Sequence, residues 1–187
     1  MRVVVTGATS FIGAAAIRQL VQNGHEVCAV VRPRSRNLEN LNKQIPEDCR
    51  SRVQVLELDM REIEQTAERI SRPGDAWLHT CWEGAGSDNR TQRDVQQANV
   101  ISSLAAVRAA AAVGCKRFLF TGSQAEYGVC HERITEDMPC RPVSEYGKAK
   151  VDFAHQAESL CSSLGMEYIH ARIFSVYGPG DHPWTLV

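Results

Sequence analysis

The amino-acid sequence predicts an α/β protein, a doubly wound parallel sheet with helices on both faces. Three observations support this. Short β-branched runs alternate with longer helical patterns from residue 2 to residue 174. The first run turns through a glycine directly into the first helix. No repeat, low-complexity segment or interdomain linker breaks the alternation, so residues 1–187 read as one domain. Strand–helix–strand units of this kind close as right-handed crossovers in a parallel sheet.

Each element has its own signal. Residues 2–6, Arg-Val-Val-Val-Thr, are a short apolar run suited to burial on both sides. Residues 11–23 carry apolar side chains at helical spacing and stop at Gly24, a residue that closes helices readily. Residues 25–31 and 53–58 are the second and third strands. A charged amphipathic pattern over 61–71 predicts a helix, broken by Pro73-Gly74, and 76–80 is the fourth strand. An alanine-rich helix is expected over 89–113, stopped by Gly114, before a fifth strand at 116–121. After a loop with Pro139 and Pro142 come a helix over 144–164, closed by Gly165, and a sixth strand over 167–174. Gly178-Pro179-Gly180 ends that strand.

Composition narrows the function classes. The chain is 43% hydrophobic and 23% charged, ordinary for a globular domain. A formal net charge of -1 gives no electrostatic case for nucleic acid or an anionic membrane surface. Seven cysteines form no CxxC pair, and several sit inside apolar runs, which reads as buried, reduced thiols with no disulfide framework or metal site. No apolar run reaches the ~18 residues of a membrane span. A strand beginning at Arg2 leaves no room for a signal peptide, so a cytoplasmic protein is expected.

In such sheets ligands bind past the carboxyl ends of the strands, at the point where strand order reverses. After the first strand comes Thr6-Gly7-Ala8-Thr9-Ser10-Phe11-Ile12-Gly13. Gly7 permits the tight turn, Gly13 lets the helix approach the sheet, and the helix start presents free N–H groups to a pyrophosphate. The segment resembles the TGxxGxxG motif of the short-chain dehydrogenases, in particular the extended group of NAD-dependent epimerase/dehydratases. That resemblance implies a Rossmann-type fold with Gly7, Thr9, Ser10, Phe11, Ile12 and Gly13 around a dinucleotide. Ser10 departs from the motif by replacing its middle glycine; its Cβ crowds the pyrophosphate, while its hydroxyl can donate to it. The resemblance also places Asp59 and Met60 near the adenine, and His79, Thr80 and Cys81 along the cofactor's path, with Asn99 and Thr121 close by.

The second strand ends Val31-Arg32-Pro33-Arg34-Ser35-Arg36. A carboxylate at this place selects NAD by holding ribose hydroxyls, whereas arginine accommodates a 2′-phosphate through its planar donor fork. Arg32 therefore favours NADP over NAD.

Tyr146-Gly147-Lys148-Ala149-Lys150 sets Tyr146 and Lys150 four residues apart at a helix start, on one face. Free tyrosine titrates near pH ~10, so work near neutrality needs a drop of roughly three units, about 4 kcal/mol. A lysine cation and an oxidised nicotinamide are charges able to supply it. Thr121-Gly122-Ser123-Gln124-Ala125-Glu126-Tyr127-Gly128, at the end of the fifth strand, is similar to the epimerase motif. In that motif the residue matching Ser123 hydrogen-bonds the substrate oxygen beside the tyrosine. The resemblance thus implies hydride exchange between a sugar carbon and the nicotinamide. Tyr146 is its acid or base, Ser123 orients the oxygen, and Lys150 holds the ribose. Trp82, Ser123, Gln124 and Ser175 are the expected substrate contacts.

The resemblance continues through Arg172-Ile173-Phe174-Ser175-Val176-Tyr177-Gly178-Pro179-Gly180, with Ser175 where the family often has asparagine. Residues 184–187, Trp-Thr-Leu-Val, look like the opening of a further helix. The family's C-terminal substrate lobe lies outside the 187 residues, so a domain cut before that lobe is expected. It would have an open substrate pocket, exposed apolar surface and little turnover by itself. The helices over 89–113 and 144–164 resemble those that pair in the family's homodimers. Three functions follow from these readings. The first is an NAD(P)-dependent epimerase or dehydratase of a nucleoside-diphosphate sugar. The second is an NADP-dependent ketone reductase of the dihydroflavonol-reductase type, favoured by Arg32. The third is a non-catalytic dinucleotide-binding protein, suggested by Ser10 and opposed by Ser123, Tyr146 and Lys150.

Overall fold

A computed structural model describes residues 1–178 of the chain. The expectations for Pro179, Gly180 and residues 184–187 lie outside them. Six parallel strands form one sheet: β1 (Arg2–Thr6), β2 (Glu26–Val31), β3 (Val53–Glu57), β4 (Ala76–His79), β5 (Arg117–Ser123) and β6 (Glu167–Ile173). Their order is β3-β2-β1-β4-β5-β6, the dinucleotide-binding arrangement that reverses between β1 and β4.

The period of two in the strands sorts the core into two layers. Val3, Val5, Val27, Ala29 and Val31 point to one face, where α1 (Phe11–Gln22) and α2 (Leu38–Gln44) cover them with Ile17, Val21 and Leu41. Val4, Cys28, Val30, Trp77, Phe118 and Phe120 point to the other, against α4 (Arg93–Ala112) and α5 (Glu145–Ser163). Phe120 and Phe153 meet there with ring centroids 4.5 Å apart. β6 is an edge strand with Ile169, Ala171 and Ile173 half-buried.

The structure departs from the sequence reading in three places, each with a local cause. The helix expected over 61–71 is a 3-10 stretch, Met60–Gln65, followed by the single turn α3 (Thr66–Arg69). The Thr66 hydroxyl donates to the Ile63 carbonyl at 2.6 Å, taking an acceptor that a continuous helix would use. The long alanine-rich helix begins at Arg93 instead of 89. The carbonyls of Asn89 and Arg90 are diverted to tertiary partners, Gln96 Nε2 at 2.9 Å and Tyr146 N at 3.0 Å. Finally, α2 and a 3-10 turn at Glu47–Arg52 occupy a polar stretch without a strong periodic signal. Leu41, Ile45 and Cys49, spaced four apart, are the residues they bury.

Candidate active site

A crevice of about 610 Å³ opens past the carboxyl ends of β1 and β4. Gly7 turns there with φ +72°, and a Cβ on it would stand 2.6 Å from Thr80 Oγ1 and 2.7 Å from the Cys81 nitrogen. Only glycine lets the two strand ends approach this closely. Ser10 uses its hydroxyl as the N-cap of α1, accepting from the Gly13 N–H at 3.0 Å. The same hydroxyl lies 3.4 Å from Thr80 Oγ1, whose own proton goes to the Thr6 and Gly7 carbonyls, so the middle-glycine substitution supplies a cap and a tie to the end of β4. Thr9 is tied to Ser35 by a 3.3 Å hydroxyl contact, linking the turn to the arginine-rich loop.

Thr9, Ser10, Arg32, Asp59, Met60, Thr80, Cys81 and Asn99 all line this crevice. Burial pushes the Cys81 thiol up to about 11, so it presents an uncharged wall. Asn99 spends its amide on the loop after β4, accepting from the Glu83 N–H and donating to the Glu83 carbonyl, both at 2.8 Å. Phe11 and Ile12 are half-buried at the start of α1, while Gly13 is buried beneath the turn. The segment after β6, bearing exposed Ser175, comes back toward α1: Phe11 Cζ is 3.9 Å from where a Gly178 Cβ would be.

Beside the crevice lies a groove of about 970 Å³ lined by Arg32, Arg34, Arg36, Asn37, Asp59 and Arg61. Arg61 grips Asp59 with two hydrogen bonds, 2.8 and 3.0 Å, and this clamp holds the Asp59 carboxyl down at about 2. Its charge is therefore already answered, and Arg32, Arg34 and Arg36 line the groove with Glu62 as the other carboxylate.

His79 is not at the crevice surface. It is fully buried between the Thr6 hydroxyl, 2.6 Å from Nδ1, and the Ser103 hydroxyl, 2.9 Å from Nε2. The alternation of β4 already puts it on the inward side, two residues after Trp77. Thr121 is buried as well and contributes its carbonyl instead of its hydroxyl.

On the far side of Trp82, Tyr146 and Lys150 descend from the start of α5, which Ser144 caps by accepting from the Gly147 N–H at 3.1 Å. Lys150 is 3% exposed and donates to the Thr121 carbonyl at 2.8 Å. Burial pulls its ammonium down to about 7, against the opposing charge of Glu126. Burial likewise pushes the Tyr146 phenol above its usual range, while the Ser123 hydroxyl and the Arg90 guanidinium pull it down. The Lys150 cation stands 5.6 Å from the Tyr146 ring centroid. The protein alone thus leaves the phenol protonated, contrary to the lowering that spacing suggested. Ser123 accepts from the Ala125 N–H at 3.2 Å and its hydroxyl bonds the Tyr146 phenol, so the two hydroxyls stand side by side.

A family model described as the NAD dependent epimerase/dehydratase family matches residues 3–185. The chain belongs to that family. It is 26% identical over 182 residues to a UDP-glucose 4-epimerase of Corynebacterium glutamicum, covering 95% of this chain and 52% of that one. It is 25% identical over 158 residues to the dTDP-6-deoxy-L-talose 4-dehydrogenase (NAD(+)) of Aggregatibacter actinomycetemcomitans, covering 84% and 54%. The crystal structure of a dTDP-glucose 4,6-dehydratase from Streptomyces venezuelae with NAD bound superposes with TM-score 0.83 at 26% identity, covering 100% of this chain and 60% of that one. The epimerase/dehydratase chain described here spans about half the length of the curated relatives it matches.

Behind Ser123, this epimerase/dehydratase chain carries a buried network that the sequence did not reveal. Glu126 is fully buried; it accepts from the Ser123 N–H at 2.7 Å and from Arg172 Nε at 2.9 Å, and its Oε1 lies 3.1 Å from His170 Nε2. Burial pushes its carboxyl up, but His170, the Ser123 amide and Arg172 together outweigh that and hold it below the ordinary range. Glu126 fixes the turn that aims Ser123 and ties it to β6. Arg61 and Gln96 are the polar residues missed. Gln96, Asn99 and Ser103, three and four apart on an alanine-rich helix, were the available signal.

His79 also gives the epimerase/dehydratase domain a pH dependence. Burial first, and the Lys150 charge second, push the ring down to about 3 from an ordinary 6.5. Between those values the unfolded chain takes up a proton that the folded chain refuses. Stability present above pH 6.5 is therefore lost as pH falls toward 3, at up to about 1.4 kcal/mol per pH unit from this residue. Urea unfolding at pH 6.5 and 4.5 checks it: His79→Gln should show a distinctly shallower loss than the wild type.

Proposed function

We propose that this domain binds a dinucleotide, NADP in preference to NAD, and serves an enzyme acting on a nucleoside-diphosphate sugar. The observation that carries the reading is the convergence of the Gly7 turn, Ser123, Tyr146 and Lys150 at the carboxyl edge of one sheet. The crevice fits such a cofactor: a glycine turn that a Cβ would fill and the N–H groups of the first turn of α1 suit a pyrophosphate. The relatives' printed activities on UDP- and dTDP-sugars support the substrate class. When bound, the nicotinamide supplies a site that accepts or gives up hydride. Tyr146 then exchanges a proton with the sugar oxygen, Ser123 donates a hydrogen bond to that oxygen, and Lys150 holds the ribose. Transferring this chemistry to an epimerase, a dehydratase or a reductase changes the fate of the oxidised sugar and leaves these three roles intact.

The arginine-rich groove favours the NADP-dependent ketone reductase as the second reading. Arg32, Arg34 and Arg36 follow β2 and outnumber the two carboxylates of the groove, Asp59, which is already paired with Arg61, and Glu62. Arg32→Ala should weaken NADP⁺ binding about tenfold or more while changing NAD⁺ less than twofold, since a charge-assisted bond to phosphate contributes ~1.5–3 kcal/mol. Calorimetric titration of both cofactors tests it, and a wild-type preference for NAD⁺ overturns it. The reading extends to a homodimer through α4 and α5, supported by Ile101, 69% exposed on α4. A cytoplasmic setting is supported by seven unpaired cysteines. Among the described residues, no helix is long and apolar enough to cross a membrane, and no three His, Cys, Asp or Glu side chains gather as a metal group.

A further inference from the structure

Lys150 is held in an unusual way. Its ammonium donates to the Thr121 carbonyl, and its other close neighbours are ring faces: Trp82 with its centroid 4.1 Å away and Phe120 at 4.3 Å. Trp82 is itself fixed from behind. Its Nε1–H donates to Gln96 Oε1 at 2.8 Å, and fully buried Gln96 donates from Nε2 to the carbonyls of Gly84 at 3.1 Å and Asn89 at 2.9 Å. The loop is close-fitting there, since Gly84 has φ +68° and a Cβ on it would stand 2.8 Å from Asn89 Cβ. The indole meets Tyr146 edge-on, with interplanar angle 89° and centroids 6.3 Å apart. The same indole lines the crevice, whereas Tyr146 and Lys150 are buried behind it.

We propose that Trp82, clamped by Gln96, is the positioning residue that fixes the Lys150 ammonium directly behind the crevice wall, on the side where the nicotinamide-side ribose would bind. The inference rests on the dinucleotide reading given above. A buried ammonium with a single carbonyl acceptor tends to lose its proton or stretch toward water. An indole face attracts the cation through its quadrupole without adding negative charge, which would repel the cofactor's phosphates. Burial depresses Lys150 and the charge of Glu126 opposes this, while the Trp82 face is the contact that holds the cation on the crevice side. Gln96 gives the indole one orientation, so the cation has one place to sit.

The test separates the two halves of the cofactor. NADP⁺ carries both riboses, whereas adenosine 2′,5′-bisphosphate carries the adenine side alone; NAD⁺ and ADP form the matched pair without the 2′-phosphate. Calorimetry on Trp82→Ala should show binding of the full dinucleotides weakened about tenfold, the size of a desolvated cation–π contact. The adenosine fragments should bind within twofold of wild type. Trp82→Phe, which keeps a ring face, should recover part of the loss. In a Lys150→Met background, Trp82→Ala should add nothing, because the effect passes through the ammonium. Equal weakening of dinucleotides and fragments, or a full additional loss in the Lys150→Met background, overturns the role of Trp82 while leaving the dinucleotide reading in place. Failure of the wild type to take up any of the four ligands removes that reading and this proposal with it.

Discussion

Tyr146→Phe should lower turnover of a nucleoside-diphosphate sugar about a thousandfold, the usual worth of a placed general acid or base. Dinucleotide affinity should change less than twofold. The phenol is 8% exposed, edge-on to Trp82 and beneath the Arg90 guanidinium, whose carbon lies 4.4 Å from the ring centroid. A phenylalanine ring keeps all of these contacts and removes one oxygen, so the substitution isolates the proton-transfer role from packing. The phenol is pushed up by burial in the protein itself, and Ser123 and Arg90 pull it back. A proton on Tyr146 is then the resting state, ready for delivery to a ketone oxygen. Removal of a proton from an alcohol needs added positive charge nearby. Single-turnover reduction and oxidation, measured separately, should both collapse in the variant. Retention of either within tenfold would assign the proton to another group and end the role given to Tyr146.

Much of this arrangement was legible in the sequence because its signals are local. Gly7 to Gly13 is one loop, Tyr146 and Lys150 are one helical turn apart, and buried parallel strands read as unbroken apolar runs. What escaped joins distant elements. Trp82 and Gln96 are 14 residues apart, Arg172 reaches Glu126 across 46, and neither pair has a spacing that pattern can recognise. Arg61 and Asp59 are close in sequence, yet their pairing arises only because the chain there tightens into a 3-10 turn capped by Asp59. His79 was misplaced for a different reason. Position after a strand suggested the ligand side, whereas the period of two, shared with Trp77, set it in the core.

Gly13→Ala should abolish measurable dinucleotide uptake and destabilise the domain by about 2 kcal/mol or more. A Cβ at residue 13 would fall well inside contact with the Gly7 carbonyl oxygen and 3.0 Å from both the Gly7 carbonyl carbon and Ser10 Oγ. The first two of these are backbone atoms, so no side-chain rotation relieves the clash, and either α1 or the Gly7 turn must move. Moving the turn drives it toward Thr80 and the Cys81 nitrogen, against which it already fits closely. Moving α1 breaks the cap from Ser10 to the Gly13 amide and withdraws the helix start from the crevice. Both routes spoil the same anion site, which is why the effect on binding should exceed the effect on folding. Gly24→Ala is the matched control: that glycine, with φ +80° and nothing within 4 Å of a Cβ, should show strain of roughly 1 kcal/mol and unchanged uptake. Thermal unfolding and cofactor titration on both variants separate the two costs. A Gly13→Ala protein that still binds NADP⁺ or NAD⁺ with wild-type affinity would show that the pyrophosphate is held somewhere other than this turn.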